Sequence, residues 1–201
     1  LVVDATQSMG MVPIDAVASG ADVIISSGYK WLRGTYGTAV GYLSPEAKKL
    51  VPGIVGFRSN EDIWDMRSDR MNLPEDASRF EFTTLHFGAL RGLAASIEEM
   101  LEIGIERIWE HDLSLSDMVV KLASSRGLEV TSPKDDDQRS AIVSIRPPSE
   151  HHSAEIVRRL QDEFGILVTD RSGMIRVSPH IDNDHSQIEF LFTSLDKILA
   201  N

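Results

Sequence analysis

Apolar residues open the chain in a short run, Leu1-Val2-Val3, that stops at the carboxylate of Asp4. Two more runs of strand length follow, Ala21-Asp22-Val23-Ile24-Ile25-Ser26 and Thr38-Ala39-Val40-Gly41-Tyr42-Leu43. Such near-continuous apolar runs predict strands of a sheet covered on both faces. Between them, Pro13 to Ser19 predicts a short helical turn ended by Gly20, and Pro45 opens a short helix reaching Leu50. From Val51 to Thr84 the periodicity disappears, and Pro52, Gly53, Gly56, Asn60, Asn72 and Pro74 punctuate the stretch. A segment of that length without regular structure is expected to be functional or to meet a partner.

Helical spacing returns at Phe87 and runs to Gly104, with Leu90, Leu93, Ala94, Ile97, Met100 and Leu101 on one broad face. A second helix spans 105–125 with Ile108, Leu115, Met118, Val119 and Leu122 as its stripe; Gly104 and Gly127 mark the stops. The remainder predicts an α+β segment. Strands fall at 128–131 and 141–145 on either side of a charged turn, then a helix at 153–164, strands at 166–169 and 174–178, and a closing helix at 185–199. A domain boundary is expected within 105–125.

Composition narrows the classes. The chain carries 20 Lys and Arg against 31 Asp and Glu, a formal charge of −11, the wrong sign for non-specific nucleic-acid binding. No apolar run is long enough to span a bilayer, so no membrane partner is expected. There is no cysteine, which removes disulfides, thiolate metal sites and any mechanism using a thiol of this chain. That fits a reducing compartment, and a cytoplasmic location is expected. His151, His152 and Glu155 lack a further ligand, so no metal is expected. The opening run reads as a strand from its first residue, so the sequence is expected to be part of a longer chain.

Chemistry concentrates around Lys30. It follows a predicted strand and the small-residue turn Ser26-Ser27-Gly28-Tyr29, at the carboxyl end of a strand where α/β sheets bind ligands. A lysine there can form a Schiff base with a carbonyl, although a solvated surface lysine has the same local sequence. Asp4 ends a neighbouring predicted strand and could face the same crevice, or simply cap the next turn. A lysine Schiff base with an acidic partner for a pyridine nitrogen is what a protein contributes to pyridoxal-phosphate chemistry. Gln7 could then donate to the phenolic oxygen of the cofactor, and Ser27 could bind a phosphate oxygen.

These residues fall into motifs. Asp4-Ala5-Thr6-Gln7-Ser8-Met9-Gly10, Asp15, Asp22, Ser27-Gly28-Tyr29-Lys30-Trp31-Leu32, Gly34 and Gly37 resemble the core of class V aminotransferases. That group of fold-type I pyridoxal-phosphate enzymes includes cysteine desulfurases, kynureninase-like hydrolases and isopenicillin-N-epimerase-like proteins. The resemblance continues, in the same order, at Arg79-Phe80-Glu81-Phe82-Thr83-Thr84, at Ile175-Arg176-Val177-Ser178-Pro179-His180, and at Asn183, Ile188 and Leu195.

The resemblance implies a three-layer α/β sheet of the fold-type I large domain, incomplete here because only the C-terminal portion of the family pattern is expected. Residues 1–110 would be the C-terminal half of the cofactor-binding large domain, and 111–201 a small α+β domain. It implies pyridoxal 5'-phosphate as cofactor, a Schiff base on Lys30, Asp4 beside the pyridine nitrogen, Gln7 at the phenolic oxygen, and Ser27 at the phosphate. Tyr29 stands where many relatives have histidine, and a phenol can also donate to phosphate. Thr84 matches a residue that reaches the phosphate of the other subunit in a homodimer, and Arg176 matches the clamp on a substrate α-carboxylate.

The implied activity is aminotransferase-like, on an amino acid or amine with a 2-oxo acid as possible acceptor. A lyase or epimerase on the same scaffold is the alternative, as is a non-catalytic fragment that folds and dimerises without cofactor. Persulfide-forming desulfurases carry a cysteine on a loop before the substrate arginine, and Thr169-Asp170-Arg171-Ser172-Gly173-Met174 has none.

Overall fold

The computed structural model describes residues 1–200 and divides the chain into two compact units, Leu1–Glu102 and Ile103 onward. In the first, β1 (Val2–Asp4) lies parallel to β2 (Val23–Ser27), with Asp4 opposite Ile25. The third strand, β3 (Ala39–Leu43), runs antiparallel to β2 and places Ala39 opposite Ser27. Ala5, Ala21 and Ile24 form a small core with Val3, Met9, Ala16 and Tyr42 packed against it. Ile24 is 2% exposed and its neighbour Ile25 46%. Successive strand side chains point to opposite faces, so the sheet of this unit buries one face, not the two that its apolar runs predict.

Asp15 organises the segment expected to be a helical turn. Its Oδ1 accepts the N–H groups of Val17 and Ala18, both at 2.9 Å, and the chain makes a turn there rather than a helix. The helix expected after Pro45 shrinks to one 3₁₀ turn at Ala47–Lys49. The stretch 51–84 is irregular apart from 3₁₀ turns at Phe57–Ser59 and Ala77–Phe80. Polar side chains cross-link it. Arg79 donates to the carbonyls of Pro74 (2.8 Å), Lys48 (2.6 Å) and Leu50 (3.3 Å), and buried Ser59 donates to Glu81 O (3.0 Å). The first helix, α1 (Phe87–Ile103), buries Ala89, Leu93 and Met100, while Leu101, expected on that face, is exposed.

The second unit holds an antiparallel sheet in the order β4 (Glu129–Val130), β5 (Val143–Arg146), β7 (Met174–Val177), β6 (Thr169–Arg171). Three helices, α2 (Ile105–Ser125), α3 (Ser153–Phe164) and α4 (His185–Leu199), supply most of its core. Val143, Ile145, Ile175 and Val177 point into that core together with Ile156, Leu160, Phe192 and Leu195. Ser144 and Arg176, cross-strand neighbours, alternate onto the opposite face.

The chain Ile108, Asp112, Leu115, Val119, Ala123 on α2 is buried at helical spacing, and the one carboxylate in that stripe is met by His180 Nδ1 at 2.7 Å from Asp112 Oδ2. The strand expected at 166–169 starts instead at Thr169, because Ser172 (φ 53°) and Gly173 (φ 78°) form a tight turn that sets Arg171 opposite Met174.

Regular structure runs from Val2 to Leu199, and each unit closes its own core. In place of the expected incomplete large domain, α/β structure occupies the described chain. Among the described residues, no helix is long and apolar enough to cross a membrane.

Candidate functional site

The parallel pairing of β1 and β2 brings two predicted site residues side by side, since Asp4 and Ser27 leave the same end of adjacent strands. Thr6 joins them. Its N–H donates to Asp4 Oδ1 (3.0 Å), and its Oγ1 accepts the Ser27 N–H (3.1 Å) and lies 3.4 Å from Ser27 Oγ. The Thr6 hydroxyl, then its N–H, and last the charge of Lys30 hold the Asp4 carboxyl below the usual carboxylate range, against the opposing effect of burial. Asp4 is therefore an anion at neutral pH, as a partner for a protonated pyridine nitrogen must be.

Gln7 Oε1 accepts from Trp31 Nε1 at 3.2 Å. An indole can only donate, so this bond fixes the amide and leaves its NH₂ to donate elsewhere. Both the Ser27 N–H and the Gly28 N–H, which donates to Thr38 O at 2.8 Å, are engaged within the chain. What Ser27 can offer a phosphate is its hydroxyl.

Lys30 stands on a short loop built for close approach. The Gly34 N–H closes the loop on Gly28 O (2.7 Å), and the Arg33 N–H donates to Lys30 O (2.8 Å). Ser96 on α1 donates to Leu32 O (2.8 Å), and Thr35 donates to Ala89 O (3.3 Å), fastening the loop to the helix. A Cβ on Gly28 would lie 2.3 Å from Thr38 Oγ1, and one on Gly34 would lie 2.6 Å from Leu93 Cδ1 and 2.9 Å from Gly28 O. Lys30 is half-buried, its Nζ 5.9 Å from the ring centroid of Tyr29, which stacks on Tyr36 at 4.7 Å.

Thr84 is exposed on the segment leading into α1, and no hydrogen bond among the described residues joins it to this cluster. His86 caps that helix instead, its Nδ1 accepting the Ala89 N–H at 3.2 Å. Arg176 belongs to the second unit, half-buried on the outer face of β7 between Ser144 and Thr169. Its Nε is buried and has no hydrogen-bond partner among the described residues.

The donor set of the first unit fits pyridoxal phosphate: an amine, a carboxylate held anionic, an amide NH₂ and a hydroxyl. No group of three or more His, Cys, Asp or Glu suited to a metal occurs among the described residues. Thr6 and the Trp31–Gln7 bond escaped sequence reasoning. The Asp-x-Thr spacing of an Asx turn was the available signal for Thr6.

Known proteins are similar to this chain in sequence and in fold. The family model for class-V aminotransferases matches residues 1–191. A probable cysteine desulfurase of Methanothermobacter thermautotrophicus is 28% identical over 98% of this chain and 52% of its own length. A kynureninase of Geobacillus thermodenitrificans is 27% identical over 88% of this chain and 42% of its own. The apo structure of a cysteine desulfurase from Thermococcus onnurineus superposes with a TM-score of 0.87 at 25% identity, covering 99% of this chain and 52% of that one.

The chain spans about half the length of the curated relatives it matches. Two expectations are corrected by these matches. Likeness to a C-terminal portion only gives way to a family match along residues 1–191, and the incomplete large domain gives way to a fold-type I-like α/β fold matched over 99% of the chain. The chain belongs to the class-V aminotransferase family.

Proposed function

We propose that this protein is a pyridoxal-phosphate-dependent, aminotransferase-like enzyme acting on an amino acid or amine, with Lys30 as the residue that holds the cofactor. One observation carries the reading: Asp4, held anionic by Thr6 and by the charge of Lys30, leaves the sheet beside Ser27 at the carboxyl ends of adjacent parallel strands. Homology to pyridoxal-phosphate-binding fold-type I enzymes supports the cofactor.

Bound there, pyridoxal phosphate supplies an electron sink for the carbanion left when a substrate Cα–H bond is broken. Asp4 binds the pyridine nitrogen and keeps its proton in place. The Gln7 NH₂ donates to the phenolic oxygen, and Ser27 and Tyr29 donate hydroxyl protons to phosphate oxygens. Lys30 Nζ takes the substrate α-proton and delivers it again. Arg176 binds the substrate carboxylate through its guanidinium fork, for which the orphaned Nε is a ready donor. Thr84 serves the phosphate of a second subunit in a homodimer, and a 2-oxo acid accepts the amino group. Residues 1–110 form the cofactor-binding part and 111–201 the smaller domain.

A lyase or epimerase is the second reading, favoured by the names of the desulfurase and kynureninase relatives. A persulfide relay on this chain is opposed by its lack of cysteine and by the two-residue turn Ser172-Gly173 directly before the Arg176 strand.

The test is visible absorbance with added pyridoxal phosphate, then borohydride reduction and peptide mass mapping. A visible band with the cofactor mass fixed on Lys30 is expected, with amine turnover that depends on a 2-oxo acid. Turnover without the oxo acid would favour the lyase or epimerase. No band and an unmodified Lys30 would overturn the reading in favour of a non-catalytic chain.

A further inference from the structure

We infer that Trp31 is a positioning residue that holds Gln7 with its NH₂ presented and its carbonyl oxygen turned away, so that Gln7 meets the phenolic oxygen of the cofactor only as a donor. The inference rests on the proposed pyridoxal-phosphate site and adds a residue to it. Its basis is the bond from Trp31 Nε1 to Gln7 Oε1 at 3.2 Å, across 24 positions of the chain.

The two partners are unequal. Trp31 is 7% exposed, whereas Gln7 is exposed, and a solvated glutamine keeps many rotamers unless something holds it. The indole is the anchored side of the pair. Ser96 Oγ donates to the carbonyl of the next residue, Leu32, at 2.8 Å. A Cβ on Gly10 would lie 2.5 Å from Trp31 O, so glycine is what lets the loop from Asp4 to Gly10 come this close. Gly10 also has φ 99°, a left-handed conformation that favours glycine. Earlier in the same loop, the Ser8 and Met9 N–H groups donate to Ala5 O (2.9 and 2.8 Å) and close the turn that carries Gln7. The Gln7 backbone is fixed by its own turn, and its side chain by the indole.

The direction of the amide follows from donor chemistry. An indole N–H donates and cannot accept. The amide oxygen therefore faces Trp31, and the NH₂ on the other side of Cδ faces away. Turned over, the same amide would set its carbonyl oxygen against a phenolic oxygen, two acceptors with no proton between them. A hydroxyl in place of the indole could donate or accept and would leave both orientations open. Trp31 acts through Gln7.

The test makes two measurements on wild type, Trp31→Phe, Gln7→Leu and the double variant. The first needs no cofactor. In ¹⁵N NMR the Trp31 indole N–H signal of wild type is expected downfield of its position in Gln7→Leu, a change at an exposed side chain. The second is the pH at which the visible band of bound pyridoxal phosphate is lost. That loss removes the proton from the nitrogen linked to Lys30, and a donor that stabilises the neighbouring phenolate lowers its midpoint. Gln7→Leu is expected to raise the midpoint by about one pH unit, the scale of one hydrogen bond to charge. Trp31→Phe, which leaves the amide to be ordered anew, is expected to raise it by about half a unit. It is expected to do so only where Gln7 is present, whereas a packing effect of the smaller ring would appear in both backgrounds.

An indole signal unmoved by Gln7→Leu, a midpoint unmoved by Trp31→Phe, or equal shifts in the two backgrounds overturns the inference. A midpoint that Gln7→Leu leaves unmoved overturns it together with the role of Gln7 in the functional reading. If wild type takes no cofactor on Lys30, the functional reading fails by itself. The indole signal then still decides whether Trp31 holds Gln7.

Discussion

Alanine at Gly34 should displace the loop that carries Lys30. Its Cβ would sit 2.6 Å from Leu93 Cδ1 and 2.9 Å from Gly28 O. Carbon atoms reach their attractive minimum at about 3.5–4.0 Å, so each neighbour must retreat by roughly 0.5–1 Å. Leu93 is 4% exposed and fully packed, and Gly28 O is backbone that accepts the Gly34 N–H at 2.7 Å. Neither can yield cheaply. Overpacking of this kind costs about 1–3 kcal/mol, and stretching the closing hydrogen bond adds about 0.5–1.5. Gly34→Ala is expected to destabilise the first unit by about 2–4 kcal/mol and to reduce cofactor fixation on Lys30.

Gly53→Ala is the control, since a Cβ there meets nothing within 4 Å, and it should stay within about 0.5 kcal/mol of wild type. Urea unfolding followed at Trp31, with Trp64 and Trp109 replaced by phenylalanine, isolates the reporter beside the loop. Borohydride labelling of Lys30 reads the site. If Gly34→Ala matched Gly53→Ala in both, the close approach would have no energetic meaning and the account of the loop would be wrong.

In the second unit, Asp112→Ala removes the buried carboxylate that meets His180 Nδ1 and should cost about 3–5 kcal/mol in urea unfolding followed at Trp109. Asp112→Asn retains an acceptor oxygen and should cost distinctly less; equal losses would show that the hydrogen bond is not the source. On the exposed loop, Asp65 is lowered to about 2 from an ordinary 3.8, chiefly by its hydrogen bond to Arg67. A depressed carboxylate contributes above its unfolded value and loses that contribution as pH falls through the folded one, so this pair matters above about pH 4 and is gone by about pH 2. ¹³C NMR titration should find that midpoint, and Arg67→Met should move it toward 3.8; an unmoved midpoint would refute the assignment to Arg67.

Local order was written into the sequence wherever one periodicity ruled a long enough stretch. The helices at 153–164 and 185–199 begin and end where their apolar spacing and flanking residues place them, with Asp184 accepting the Gln187 N–H and Gly165 closing α3 in a left-handed turn. The motifs around Asp4, Lys30 and Arg176 were equally readable, because side-chain type at fixed spacing survives without any knowledge of packing.

Tertiary structure decided what spacing cannot encode. Whether Ile25 faces protein or solvent depends on which face of the sheet is covered, and the run Val23-Ile24-Ile25 is the same sequence in either case. The shift of β6 to Thr169 came from the backbone of Ser172 and Gly173, whose positive φ values set the register across to β7. Asp112 lies in the buried stripe of α2, and only the fold brings His180 to it from 68 residues away. Thr6 became a bridge only because β1 and β2 pair in parallel and in register. Chemistry is local and can be read from residue type, whereas the neighbours that orient it arrive from distant parts of the chain.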